Sequence, residues 1–186
     1  LIHAILQQIM IDLHCHILPG LDDGAPDMSA ALQMARMAED DGIRVICATA
    51  HAGINPYFNS PEEIKTSAEQ LQSEIEQAGI ELKVVPGSEV SLTSDIRGMM
   101  DSDELVTLAD SRYVLAELPF FGDLSGARQQ IFQLSLAGYK VILAHPERAQ
   151  ACHRDPEVLE DLRYAGCTAQ INAGSIRGTE GRRVRS

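Results

Sequence analysis

Short apolar runs alternate along the chain with stretches whose hydrophobic positions recur at helical spacing. The apolar runs predict six strands, over 9–13, 43–49, 80–86, 112–118, 139–144 and 167–172. Between them, apolar residues three or four positions apart predict helices over 28–41, 61–78, 126–137 and 156–165. Residues 92–110 follow neither period clearly, and we expect short helical turns there.

Polar residues at the ends of these segments support the helix boundaries. Ser60, followed by Pro61 and Glu63, has the pattern of a capping box with proline in the first turn. Asp27 is suited to cap the helix over 28–41, and Gly42 to end it. Because repeated strand–helix–strand units form right-handed crossovers, the pattern predicts an α/β fold with a parallel sheet. Six such units fit either an open doubly wound sheet or most of a barrel.

Composition narrows the class of protein. The 186 residues suit a single domain, and 15 basic against 27 acidic residues give a net charge of −12. That acidity argues against nucleic acid or an anionic membrane as a partner, and no apolar run is long enough for a membrane span. The four cysteines form no CxxC pair, which is typical of reduced thiols in the cytoplasm.

The two ends of the chain differ from its middle. We expect an N-terminal extension at 1–9, one domain at 10–176 and a basic disordered tail at 177–186, which holds four of the basic residues. Met10 is a candidate natural start, so that 1–9 would be upstream sequence; a short N-terminal helix is the alternative.

Ionisable residues gather at the ends of the predicted strands. They are His14 and His16 after the first strand, His51 after the second, Glu89 after the third, Glu117 in the fourth and His145 after the fifth. The carboxyl ends of parallel strands meet at one edge of the sheet, where ligands and catalytic groups lie. Imidazole and carboxylate ligands suit Zn, Mn or Fe, and bridging carboxylates suit two-metal hydrolytic sites. Each residue alone has an ordinary structural explanation, but their coincidence on five strands predicts a metal site.

Two further residues are candidates beside this set. Asp23 can add an oxygen ligand, although an aspartate in such a loop is more often a turn residue. Arg148 can bind two phosphate oxygens in a fork, or it can pair with Glu147 at the surface. Cys15 alternates with His14 and His16 along a strand, so it points to the other face and is expected to be a packed thiol.

Six segments together resemble a known family: MIDLHCHILPGLDDGAPDM, ATAH, PGSEV, LAELPF, AHPER and QINAGSIRG. They are similar to the PHP-superfamily phosphotyrosine phosphatases of bacterial capsule and exopolysaccharide operons, from residue 10 to about 178. The resemblance implies a distorted (β/α)7 barrel with up to three metal ions, often Mn²⁺, with Fe²⁺, Zn²⁺ or Mg²⁺ as alternatives. It also implies that a metal-bound hydroxide hydrolyses phosphotyrosine on a protein, typically the tyrosine kinase that controls polysaccharide synthesis.

The resemblance assigns roles to particular residues. The implied metal ligands are His14, His16, Asp23, His51, Glu89, Glu117 and His145, with Glu89 bridging two ions. Arg148 is implied as the phosphate-binding arginine, and Asp23 joins it as a catalytic residue. Family members continue to a Ser-Asp-Ala-His motif that this sequence lacks, so we expect a C-terminally truncated chain with about six β/α units. An open barrel of this kind leaves an exposed edge strand, which favours a homo-oligomer.

Two other functions stay open on the sequence. The first is a catalytically impaired module that binds metal or a partner without turnover, which the missing motif favours. The second is a phosphatase of small molecules such as histidinol phosphate.

Overall fold

A single parallel sheet forms the framework of the computed structural model, which describes residues 9–53, 56–121, 124 and 126–179. Its strands are β1 Met10–Cys15, β2 Ile43–Ala52, β3 Lys83–Ser91, β4 Tyr113–Glu117, β5 Lys140–Ala144 and β6 Cys167–Gln170. They lie side by side in chain order, each pair parallel, and the sheet curls into a half-barrel. The predicted α/β class is therefore confirmed, and a curled sheet, rather than a doubly wound one, is found.

Helices lie between successive strands, and a last one follows β6. They are α1 Met28–Asp40, α2 Pro61–Gln77, α3 Ile96–Asp101, α4 Ala127–Leu136, α5 Gln150–Arg154, α6 Glu157–Ala165 and α7 Ala173–Arg177, with 3-10 turns at Leu108–Asp110 and Pro146–Arg148. The predicted caps are confirmed: Asp27 accepts a hydrogen bond from the Ala30 N–H at 2.9 Å, and Ser60 forms a complete capping box with Glu63.

Two apolar clusters lie on the two faces of the sheet. The larger packs the helices against the outer face, and Ile64, Leu71 and Ile75 of α2 are fully buried in it. The smaller lies on the inner face and consists of Cys47, Leu108, Leu115, Ile142 and Ala144. Because side chains alternate along a strand, Cys47 and His51 share the inner face of β2, and Leu115 and Glu117 share that of β4. Apolar side chains therefore fill the amino-terminal half of the inner face, and on β2, β3 and β4 polar ones occupy the carboxyl-terminal half.

The edge strands of the described sheet are β1 and β6, and a cleft of about 570 Å³ lies between them. Ile11, Leu13 and Ile171 line it, and Ile11 and Ile171 are about half exposed. Residues 1–8 and 180–186 lie outside the described residues, so the predicted extension and tail stay predictions; α7 itself runs to Arg177. Within the described residues, no helix has the length and apolar character that a membrane crossing requires.

Candidate metal centre

The carboxylate of Glu89 lies at the centre of four imidazoles. Its Oε2 is 3.2 Å from His14 Nε2, 3.1 Å from His16 Nε2 and 3.5 Å from His51 Nδ1, and its Oε1 is 3.0 Å from His145 Nε2. The Glu89 side chain is fully buried. It is positioned by the register of β3, which places Glu89 beside His51 of β2 on one side and Leu115 of β4 on the other.

Three groups of side chains have donor atoms close enough to share an ion. They are His14 with His16 and Glu89, His16 with Asp23 and His51, and Glu89 with Glu117 and His145; within each group the donor atoms lie within 4.8 Å of one another. The structure thus brings together all seven residues that the sequence analysis named as ligands. Glu89 belongs to two groups, which is the arrangement that a bridging carboxylate requires. His16 also adjoins two groups, but an imidazole that donates one N–H has a single lone pair and can bind only one ion. Their role as ligands stays a prediction.

Hydrogen bonds from outside the cluster fix two of the imidazoles. His16 Nδ1 lies 2.7 Å from Asp22 Oδ2, and His14 Nδ1 lies 2.9 Å from Gln170 Oε1. Gln170 Nε2 donates to Asn172 at 2.9 Å, so the amide carbonyl of Gln170 is the atom that faces His14. Both rings therefore donate Nδ1–H outward and present the Nε2 lone pair inward, as metal-ligating histidines usually do.

Asp22 and Asp23 take different positions although they are adjacent. The Asp22 side chain is 1 % exposed, and besides His16 it accepts hydrogen bonds from the backbone N–H groups of Gly24 and His51, both at 3.0 Å. The Asp23 side chain is 64 % exposed, and its Oδ1 lies 3.7 Å from both His16 Nδ1 and His51 Nε2. Sequence reasoning identified Asp23 and missed the orienting roles of Asp22 and Gln170. The acidic pair in the loop that follows His-x-His was a signal for Asp22; we find none for Gln170.

The hydrogen-bond partners within the cluster are incomplete, which tests whether cations fit here. Among the described residues, the buried atoms His51 Nδ1 and Glu89 Oε1 have no hydrogen-bond partner. Glu89 Oε1 is near His145 Nε2 without the alignment of a hydrogen bond. His14 Nε2 and His16 Nε2 are 3.1 Å apart and point at the same oxygen. Buried polar atoms are rarely left unpaired, so converging lone pairs of this kind fit a divalent cation.

A strained backbone holds His145 in this cluster. Its φ of 31° and ψ of 51° lie in the left-handed region, and the next residue is Pro146, which disfavours helical conformations in the residue before it. Such conformations cost about 1–3 kcal/mol and persist where the surrounding structure imposes them, typically at functional sites. Here the strain turns a 4 % exposed imidazole toward Glu89.

Burial and mutual charge shift the titration of the cluster. Burial opposes ionisation of Glu89, but the contacts with His14, His145 and His16 prevail and hold its pKa far below the usual range. For His16, burial lowers the pKa, yet bonds to Asp22 and Glu89 raise it to about 10. Burial, together with the charge of Glu89, raises the pKa of Glu117 to about 7. These shifts indicate that protons occupy the sites for which cations would compete.

An open cavity of about 540 Å³ lies over the cluster, with Arg148 in its wall. The Arg148 guanidinium carbon lies 4.8 Å from the centre of the Phe120 ring. Glu147, the predicted alternative partner of Arg148, instead accepts hydrogen bonds from the Asn172 N–H at 3.0 Å and the Ser175 hydroxyl at 2.7 Å. Cys15 packs against the apolar core and borders the cavity, and burial, followed by the charges of Asp12 and Asp22, raises its pKa to about 12, as befits an inert thiol.

Comparisons with known proteins find relatives over nearly the whole chain. Residues 10–186 match the family model described as capsular polysaccharide synthesis, CpsB/CapC. The chain is 37 % identical over 177 residues to the tyrosine-protein phosphatase YwqE of Bacillus subtilis, covering 95 % of the chain and 70 % of the relative. It is 26 % identical over 164 residues to the tyrosine-protein phosphatase CpsB of Streptococcus pneumoniae, covering 88 % and 68 %.

A solved structure has the same fold as this chain. It comes from work on YwqE and CpsB, described there as metal-dependent tyrosine phosphatases, and it superposes with a TM-score of 0.91 at 38 % identity. The match covers 95 % of this chain and 71 % of the other.

Proposed function

The chain belongs to the capsular polysaccharide synthesis CpsB/CapC family, and from this premise we propose that it is a metal-dependent phosphatase that hydrolyses phosphotyrosine on a protein. One observation carries the proposal: a buried carboxylate surrounded by four imidazoles, with an arginine in the wall of the cavity above them. Relatives that share this sequence over most of its length are named tyrosine phosphatases.

The three ligand groups would hold the ions, and His16, which has one inward lone pair, would bind only one of the two ions that it adjoins. His14, His16 and Glu89 form the first, His16, Asp23 and His51 the second, and Glu89, Glu117 and His145 the third. Divalent cations here would supply positive charge that polarises the phosphoryl group and makes a water molecule acidic enough to attack near neutral pH. A mixed imidazole and carboxylate set accepts Mn²⁺, which we propose as the ion, and also Fe²⁺, Zn²⁺ or Mg²⁺.

The protein's own residues orient the ester. The Arg148 guanidinium borders the cavity, and its planar fork matches two phosphoryl oxygens. Asp23 reaches the cavity from the loop before α1 and lies beside both His16 and His51, so it completes the second group and faces the substrate. Asp22 and Gln170 hold His16 and His14 in the orientation that leaves Nε2 free.

The biological setting follows from the same premise. We propose a bacterial tyrosine kinase of polysaccharide synthesis as the phosphoprotein substrate. All four cysteines are free, which suits the cytoplasm. The apolar cleft between β1 and β6 suits self-association into a homo-oligomer.

Hydrolysis of a phosphotyrosine peptide, with Mn²⁺ and with EDTA, tests the proposed activity. We expect turnover with Mn²⁺, loss of turnover in EDTA, and loss in Glu89→Gln, because the amide cannot bridge two cations. Glu160→Gln is the matched control: it removes an exposed carboxylate that pairs with Arg163 on α6, and should leave activity unchanged.

Two results would contradict the proposal. Metal uptake without turnover of any phosphate ester would identify a non-catalytic metal-binding module. Turnover of histidinol phosphate at a higher kcat/KM than the phosphotyrosine peptide would identify a small-molecule phosphatase.

A further inference from the structure

Six aromatic rings form a continuous row along the floor of the cavity. The imidazoles of His51, His16, His14 and His145 succeed one another with centroids 4.8, 5.1 and 5.2 Å apart. Tyr57 stacks on the His51 end at 5.5 Å, and Phe120 contacts the His145 end at 5.9 Å. The ligand cluster thus has an aromatic side chain at each end, and both of these line the cavity.

The two ends differ in what accompanies the ring. At the Phe120 end, the Arg148 guanidinium lies 4.8 Å from the ring centre. The Phe120 carbonyl accepts a hydrogen bond from the Gln150 N–H at 3.0 Å, which fixes the backbone there to the segment that follows Arg148. Phe120 and Arg148 are therefore held as one unit, and Phe120 is still 38 % exposed.

From this geometry we propose that Phe120 is the residue that makes the site prefer aryl over alkyl phosphate esters. The inference rests on the proposed phosphatase function and names the part of the site that reads the alcohol side of the ester. In an aryl phosphate a single oxygen joins phosphorus to the ring. When Arg148 and the ligand cluster bind the phosphoryl group, the ring therefore lies within a few ångström of Arg148 and of the cluster. Phe120 then lies within the centroid separation of about 4.5–7 Å at which aromatic pairs attract.

An alkyl ester makes no comparable ring contact with Phe120. The phosphate esters of serine and threonine carry no ring, so they leave the exposed part of Phe120 in water. Tyr57 is the rival candidate, but it lies at the end of the row away from Arg148. A ring bound against Tyr57 would need a phosphoryl group held by the His51 side alone.

Binding of two non-hydrolysable phosphonates tests this inference separately from catalysis. In Mn²⁺-loaded protein, calorimetry should show phenylphosphonate binding about tenfold more tightly than methylphosphonate. Phe120→Leu keeps an apolar side chain but removes the ring, and should lower that ratio by about fivefold or more, with methylphosphonate affinity within about twofold of the unsubstituted protein. Phe121→Leu is the matched control, because Phe121 is 78 % exposed and is absent from the described cavity lining.

Several results would overturn the inference. One is equal affinity for the two phosphonates, or no binding of either, in the unsubstituted protein. Another is an equal loss of both affinities in Phe120→Leu, which would mean that Phe120 only supports Arg148. A third is a fall in the ratio in Tyr57→Leu and not in Phe120→Leu. If phenylphosphonate is preferred through Phe120 but phosphotyrosine is not hydrolysed, the proposed function fails and the aryl preference stands.

Discussion

Replacing Asp22 by asparagine tests whether a residue outside the ligand set controls metal binding. The Asp22 carboxylate accepts three hydrogen bonds, from His16 Nδ1 and from the N–H groups of His51 and Gly24. Asparagine has the same shape but only one oxygen. If that oxygen faces His16 and His51, the amide nitrogen meets the Gly24 N–H. If it faces Gly24, the amide N–H₂ meets His16 Nδ1, which must then accept, so that the proton moves to Nε2 and blocks the metal-facing lone pair.

The size of the effect follows from the lost charge. A hydrogen bond to a charged group contributes about 1.5–3 kcal/mol, which corresponds to about 10–150-fold in an equilibrium constant. The measured effect of removing such outer partners of metal ligands is about 10–100-fold in metal affinity. The contact of 2.7 Å and the 1 % exposure of Asp22 place this bond among the stronger cases. We therefore expect Mn²⁺ affinity to fall about 30–100-fold in Asp22→Asn.

Competition against a fluorescent chelator measures that affinity without reference to activity. Asp27→Asn is the control, since asparagine caps helices as well as aspartate and the side chain of residue 27 caps α1 away from the cluster. Circular dichroism in EDTA should be the same for both variants. Mn²⁺ affinity within threefold of the unsubstituted protein in Asp22→Asn would refute the argument that this carboxylate orients His16.

Three further predictions concern the same site. Arg148→Lys should lower kcat/KM for a phosphotyrosine peptide and the affinity for inorganic phosphate, each by about tenfold or more, because an ammonium cannot form the fork; unchanged phosphate inhibition would contradict this. Gly24→Ala should reduce both bound metal, by elemental analysis, and Tm, since an added Cβ would lie 1.9 Å from the His16 carbonyl oxygen; a variant with normal metal content would contradict it. In EDTA, Tm should fall as the pH rises from 5 to 7. Burial and the charge of Glu89 raise the pKa of Glu117 to about 7, so in this range the folded state keeps a proton that the unfolded chain has lost. Glu117→Gln should reduce that slope, and an identical slope would assign it to other groups.

The positions of the candidate ligands were predictable because they obey simple rules. His14 and His16 are two residues apart, so one face of a strand carries both, and His51, Glu89 and His145 each follow an apolar run that reads as a strand. Parallel strands then bring their carboxyl ends together whatever the details of the helices. The structure places all of them within reach of Glu89 or of one another.

What the sequence did not predict depends on distances that no local pattern encodes. Asp22 and Asp23 are neighbours of the same type, yet one is buried as an orienting group and the other reaches the cavity. Gln170 contacts His14 across 156 positions in the chain. The strand ends were also misjudged: β2 runs to Ala52 and β3 to Ser91, past the predicted ends at 49 and 86, because polar ligands on an inner face continue the strand. Helices α5 and α7, with five residues each, are too short to show a period.

The contacts of His14 and His16 explain why the cluster is better understood as a ligand set than as a hydrogen-bond network. Both rings donate Nδ1–H outward, to Gln170 and Asp22, which leaves two Nε2 lone pairs 3.1 Å apart. Lone pairs that close repel unless a proton or a cation lies between them and Glu89. Protons meet the need in part: burial lowers the pKa of both rings, but contact with Glu89 raises that of His14, and contact with Asp22 and Glu89 raises that of His16. A proton is shared by two atoms only, whereas a divalent cation accepts electron pairs from His14, His16 and Glu89 at once. The arrangement of these rings around Glu89 therefore suits a cation, which would displace the protons, so metal uptake should release protons as it proceeds.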